Sequence, residues 1–266
     1  MIRWCAYCQT FDGQSPPFNN FSFTHGICKA CAITVKEGRK SIVKKPDVES
    51  FFKALFESVE CGILVEPKAL IAKSRSLELP VPDLFLGVLH PLLQRIGLYF
   101  EEGKMSYEKE HLFSDTVLSI LNELPKVEVS DRCPVALLSP PDNRHSIRPE
   151  FLKRLLISEK GLHAEIIANA PTTSQEYLKV FLERQPKIVG VSIALPTQAN
   201  YIDDLLRWRG DHKNKLGAPA VFIGGPASES LKNHHFAKEH GVYVSELADV
   251  KFTLDQIAQI CTETAT

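Results

Sequence analysis

An excess of charge of either sign is missing from this chain: 31 lysines and arginines stand against 32 aspartates and glutamates, for a net charge of −1. Extended binding to nucleic acid needs clustered cations to neutralise phosphates, so this balance argues against direct contact with DNA or RNA. The one basic stretch, Lys36 to Lys45 (KEGRKSIVKK), reads as a solvated linker. Long hydrophobic runs are also missing. No apolar stretch reaches membrane-spanning length, and the opening MIRWCAYC has no signal-peptide hydrophobic region, so the expectation is a cytoplasmic protein. A Walker lysine and a GxGxxG fingerprint are absent too, which disfavours a nucleoside triphosphate or a dinucleotide. What is present is a 266-residue chain that is 44% apolar, enough for two domains and a small appendage.

Seven cysteines in a chain expected in the cytosol read as metal ligands or buried thiols rather than disulfides. Cys5 and Cys8 are two residues apart, as are Cys28 and Cys31, and 19 residues separate the pairs. Each pair makes a turn that aims two thiolates at one ion, and two such turns close a tetrahedral zinc sphere. A closed sphere is structural. Residues 1–40 are therefore expected to form a four-cysteine zinc ribbon with Trp4, Phe11, Phe18, Phe21 and Phe23 as its small core. A segment so short needs its ion, which contributes on the order of 10 kcal/mol in such modules. Cys61, Cys133 and Cys261 read as buried small hydrophobes, and His25 as support for the fold.

Residues 47–124 carry helical periodicity and predict a four-helix bundle. Phe51, Phe52, Leu55 and Phe56 mark the first helix, Ala69 to Ile71 a second, Val81 to Phe100 a third, and a fourth starts at a Ser106 cap. Phe100 closes the third helix while Glu110 and His111 open the fourth, so the three can converge on one end of the bundle.

From residue 132 to 266, after a polar linker at Pro125 to Asp131, strands and helices alternate. Strands at 135–139, 164–170, 188–194, 220–225 and 242–244 are separated by helices, with a last helix from Leu254 to Thr262. Apolar strands spaced by amphipathic helices predict a flavodoxin-like, doubly wound, parallel five-stranded sheet, the whole chain being α/β with an all-α cap. Such sheets hold ligands at the carboxyl edge of the strands. Three loops meet there, carrying His145, then Ser192 to Ala194, then Gly224 and Gly225. An imidazole in the first loop is positioned to hold a metal through one ring nitrogen. Trp208 reads as packing, and His234, His235 and His240 as a surface face.

A helical bundle followed by such a domain, with a loop histidine after its first strand, resembles the cobalamin-binding modules of methionine synthase, corrinoid methyltransferases and CarH-type light-sensing regulators. The family's loop motif is an acid, one position, His, two positions, Gly; the corresponding residues here are Asn143, His145 and Arg148. Its Ser step looks like Ser192 to Ala194, and its Gly-Gly step like Gly224 and Gly225. The regulators' cap motif, Trp, nine residues, then Glu-His, is similar to Phe100 followed by Glu110 and His111.

This resemblance implies a tetrapyrrole between cap and sheet. His145 would lie on cobalt from below, with Phe100, Glu110 and His111 above. It also implies adenosylcobalamin as the favoured form, light sensing through its cobalt–carbon bond, and output to a regulatory protein partner, as in an antirepressor that controls transcription. Asn143 brings no charge to His145, and Arg148 fills space that a glycine would leave, where it could grip a phosphate or propionate. Two further readings follow from those departures. One is a corrinoid methyl carrier of a methyltransferase system; the other is a relative that binds haem, a bilin or no tetrapyrrole.

Overall fold

The computed structural model describes residues 1–36, 48–63, 65–124, 130–141, 147–168, 170–216, 219–225, 227–231, 241–244 and 250–263. The chain divides into two compact units, Met1–Leu124 and Pro125–Thr266.

In the first unit, β1 (Ile2–Cys5) is the middle strand of a small sheet, antiparallel to β2 (Phe11–Gln14) and parallel to β3 (Phe23–Gly26). Alternation puts Ile2 and Trp4 on the inner face, and both are buried. Gln9, at φ 54°, closes the turn after the first cysteine pair, its N–H donating to the Cys5 carbonyl at 2.9 Å. Helix α1 (Lys29–Lys36) carries Cys31, so the second pair straddles the start of a helix.

The helices follow as expected in number and order: α2 (Val48–Glu60), α3 (Pro67–Ser76), a long third helix, and α6 (Tyr107–Glu123). Phe51, Phe52, Leu55 and Phe56 are all buried, as their spacing predicts. Proline at the first turn of α3 costs nothing because that N–H has no helical partner. The third helix runs as α4 (Val81–Leu84), a π-helical turn (Phe85–Leu89) and α5 (His90–Glu101).

That turn receives the cysteine module. A Cβ on Gly87 would stand 2.5 Å from Cζ2 of Trp4, so only glycine admits the indole. Trp4 also stacks with Phe23 at 6.4 Å, Phe23 meets Phe52 edge-on at 5.3 Å, and the Phe11 N–H donates to the buried Asp83 carboxylate at 3.1 Å. Small sheet and helices therefore share one core. The expected linker between them, apart from Lys36 at its start, lies outside the described residues.

The second unit is a five-stranded, all-parallel sheet in the order β5-β4-β6-β7-β8, formed by β4 (Ser130–Leu138), β5 (Leu162–Ile167), β6 (Ile188–Ser192), β7 (Ala220–Gly224) and β8 (Val242–Val244). Numbered within the unit this is 2-1-3-4-5, the flavodoxin-like order, whose switch point lies between β4 and β6. Helices α7 (Ile147–Lys160) and α10 (Val250–Glu263) pack together, as do α8 (Ser174–Arg184) and α9 (Ala199–Leu216). The core is Leu138, Val189, Val191, Ile202, Leu205, Val221 and Ile223 with Tyr177, Phe181 and Trp208. Trp208 is packing, as read, and stacks on Tyr177 at 5.2 Å. A 3-10 turn spans Ser228–Leu231, and His234, His235 and His240 lie outside the described residues.

Among the described residues no single helix is long and apolar enough to cross a membrane; α3 with the long third helix reaches the length and composition only as a pair bent by 116°. Two thiol expectations are corrected. Cys61 follows the last turn of α2 and is exposed, and Cys261 is buried but disulfide-bonded.

Candidate functional site

Cys5, Cys8, Cys28 and Cys31 place their four sulfurs within 4.8 Å of one another. Zn–S bonds of about 2.3 Å at tetrahedral angles put ligand sulfurs about 3.8 Å apart. The Cys8 and Cys28 sulfurs are 3.8 Å apart. Backbone N–H groups converge on the cluster, Cys28 donating to Cys5 Sγ and Cys31 to Cys28 Sγ, each at 3.4 Å. Burial opposes ionisation of Cys5, but the N–H groups of Cys28, Cys8 and Tyr7 outweigh it and bring the thiol down to about 6. Burial pushes Cys28 up to about 12, with the thiols of Cys31, Cys5 and Cys8 adding to the effect. Four sulfurs gathered this closely are compatible with a small zinc site. His25 is exposed on β3 and stands outside the cluster.

At one end of the helical bundle the structure brings Phe100, Glu110 and His111 together through a residue that the sequence reading passed over. The Tyr107 ring lies 6.4 Å from Phe100 and 3.7 Å from His111, centroid to centroid. Glu110 Oε2 is 2.6 Å from His111 Nδ1, and its other oxygen accepts the Ser114 hydroxyl at 3.0 Å. Tyr107 and His111, like Glu110 and Ser114, are four apart and so share a helix face, which is the signal that could have found them. Phe100 and Tyr107 are 42% and 57% exposed, an unusual outlay of aromatic surface. Ser106 stands at the N-cap with extended backbone but accepts no capping N–H. Its hydroxyl meets Glu108, whose carboxyl is held below the usual range by its own backbone N–H and by that hydroxyl. The expected serine cap is thus corrected: the side chain serves a carboxylate instead of the helix.

The carboxyl edge of the sheet is described in part. Asn143 and His145 lie outside the described residues. Arg148 is in the first turn of α7 and half-buried, and burial lowers its guanidinium to about 10, so it remains a cation at neutral pH. Ser192 ends β6 and pairs with Gly224, which ends β7. Gly225 has φ 111°, and a Cβ there would lie 2.1 Å from the Ile193 carbonyl oxygen. The crossing of two loops therefore demands that glycine, whatever lies above it. The edge is closed by Ile193 N–H donating to the Gly224 carbonyl at 2.8 Å.

Two kinds of comparison bear on an all-parallel sheet in flavodoxin order that shares a chain with a helical bundle. Residues 53–124 match the family described as the B12 binding domain. The chain is similar in fold to the monomethylamine corrinoid protein of Methanosarcina barkeri, with a TM-score of 0.58 at 12% identity, over 82% of this chain and 99% of that one. A methanol:cobalamin methyltransferase complex from the same organism aligns over 88% of this chain and 93% of that one, at 16% identity and a TM-score of 0.35. A cobalamin-binding protein from Desulfitobacterium hafniense DCB-2 aligns over 82% and 98%, at 17% identity and 0.40. No curated protein matches this chain. The match to the B12 binding domain is thus confined to the helical segment, and over 82% of the chain the likeness to the monomethylamine corrinoid protein is one of fold.

Proposed function

We propose that this protein binds a corrinoid and works as a sensory or regulatory protein, passing its signal to a protein partner by contact. The observation that carries the reading is the exposed cluster of Phe100, Tyr107 and His111 within the segment that matches the B12 binding domain. Glu110 Oε2, 2.6 Å from Nδ1, orients the His111 ring and would leave Nε2 to act as a metal ligand. Tyr107 fixes the plane of the ring, and Phe100 extends the apolar surface for a flat macrocycle.

In this reading His145 is the lower ligand, Asn143 its hydrogen-bonding neighbour, and Arg148 a cation for a phosphate at the edge of the α/β unit. Ser192, Gly224 and Gly225 form the close backbone against which the ligand lies. Bound adenosylcobalamin would supply a light-labile cobalt–carbon bond. The four cysteines hold zinc and brace the cap rather than react. Exposed Ile27 and Ile33 on that module supply apolar surface for a partner.

The test is to load the protein with adenosylcobalamin in the dark, illuminate it, and follow the spectrum and the elution volume. A light-driven spectral change, with an end state altered by His111→Ala while dark binding persists, is expected. A spectrum indifferent to light would remove the sensory role, and transfer of methyl groups onto the reduced, loaded protein would replace it with that of a methyl carrier.

A further inference from the structure

Past its first turn, α6 carries the hydroxyls of Ser114, Thr116 and Ser119. Thr116 and Ser119 return their protons to the helix, donating to the carbonyls of Leu112 and Asp115, four residues back, at 2.8 and 2.9 Å. That is the usual resort of a hydroxyl inside a helix. Ser114 differs. It is half-buried, and its hydroxyl donates to Oε1 of Glu110 at 3.0 Å.

The carboxylate needs this help because of where it must point. Successive side chains on a helix stand about 100° apart, so neighbours in sequence do not face each other. Glu110 and His111 nevertheless meet, Oε2 to Nδ1, at 2.6 Å. To reach sideways Glu110 gives up most of its rotamers, which opposes the contact by entropy. Ser114 stands one turn further on, on the face of Glu110, where it holds the far oxygen and so turns the near one toward the imidazole. The lysines closest in sequence are engaged elsewhere, Lys104 with Glu102 at 2.6 Å and Lys109 with the Glu60 carbonyl. One turn back from His111, Tyr107 lies against the face of the same ring, with centroids 3.7 Å apart. An exposed imidazole is thus held at its edge by a carboxylate that is itself held in place.

We propose that Ser114 is a positioning residue for His111, acting through Glu110, and that its hydroxyl decides how readily the imidazole takes up a metal. The assignment rests on the corrinoid reading above and adds to it a residue outside the aromatic cluster on which ligation depends. Removing a group that touches and orients a metal-binding imidazole typically weakens metal binding about 10- to 100-fold. Ser114 stands one hydrogen bond further out, so a smaller effect of about fivefold is expected.

The experiment loads the full chain with aquocobalamin in the dark at pH 7 and follows the visible band that reports imidazole ligation, the part lost in His111→Ala being the signal. Ser114→Ala is expected to weaken that ligation about fivefold while the thermal midpoint holds or rises, since alanine is the better helix former. In a Glu110→Ala background the same substitution is expected to change nothing, because the intermediary is gone. In the unloaded protein the ring resonances of His111, assigned by their absence in His111→Ala, are expected to broaden in Ser114→Ala. Ligation and resonances unchanged in Ser114→Ala, an equal loss with Glu110→Ala already present, or a loss that follows a fall in the midpoint overturns the role of Ser114 while the corrinoid reading stands. Cobalamin bound with a spectrum indifferent to His111→Ala removes His111 from the site and Ser114 with it. Failure to bind cobalamin at all overturns both readings.

Discussion

Trp4 and Trp208 are each buried, yet different devices hold them. Trp208 sits against Tyr177 and Phe181 over a parallel sheet whose strands and helices bury a continuous core of their own. Trp4 belongs to a sheet of three four-residue strands, too small to stand alone, and is trapped between Phe11, Phe23 and the glycine of a π-helical turn. One unit is secured by burial. The other gathers four thiols in its smaller half. The lesson is that cysteine module and helical bundle form one folding problem, whereas the sheet can be perturbed by itself.

Removing the ion should separate the two most sharply. Chelation, or Cys28→Ser, is expected to cost the first unit much of the stabilisation that the proposed zinc would supply, on the order of 10 kcal/mol in gross terms. Trp4 emission should shift red while Trp208 emission holds, read in Trp4→Phe and Trp208→Phe backgrounds with the zinc content measured. Simultaneous unfolding of both tryptophans would break the comparison.

A smaller effect, confined to the other unit, is expected of Gly225→Ala. A methyl group 2.1 Å from the Ile193 carbonyl oxygen, at φ 111°, should cost on the order of 3 kcal/mol, seen as a drop in the Trp208 transition alone. The smallest effect is at the start of α8. There Thr173 accepts the Glu176 N–H at 3.3 Å, and the Glu176 carboxylate accepts the N–H groups of Thr172 and Thr173 at 2.8 and 3.1 Å. Thr173→Ala should cost about 1 kcal/mol. Those N–H groups hold the Glu176 carboxyl below its usual range. Its contribution is therefore present above the unfolded carboxylate pKa and lost as pH falls through the lower folded value. A Glu176→Gln penalty should accordingly vanish in acid, as thermal melts at stepped pH would record.

The same residues explain what could be read from the sequence. The start of α8 is legible because Thr173 and Glu176 spell a capping box, and strand 242–244 was legible because apolar residues of high strand propensity follow a glycine. Strand 135–139 proved to begin at Ser130, since a polar lead-in containing Pro134 looks like linker, and α9 ran to Leu216 through a polar tail with no apolar stripe. The π-helical turn left no trace, because five buried apolar residues fit either helix type. Of the candidate site, the cysteine cluster was fully legible from spacing. The aromatic end of the bundle was legible for Phe100, Glu110 and His111 but not for Tyr107, which reads as a helix start until the fold places it between them.

The central claim is that the chain holds a corrinoid by an imidazole from the first loop of its sheet. The direct measurement is the visible spectrum of the purified protein after incubation with adenosylcobalamin, haem and biliverdin and removal of the unbound ligand, repeated with His145→Ala. Retention of cobalamin alone, with the lower-ligand band shifted in the variant, is the predicted result. A protein that emerges colourless from all three, or a spectrum unchanged by His145→Ala, would contradict it.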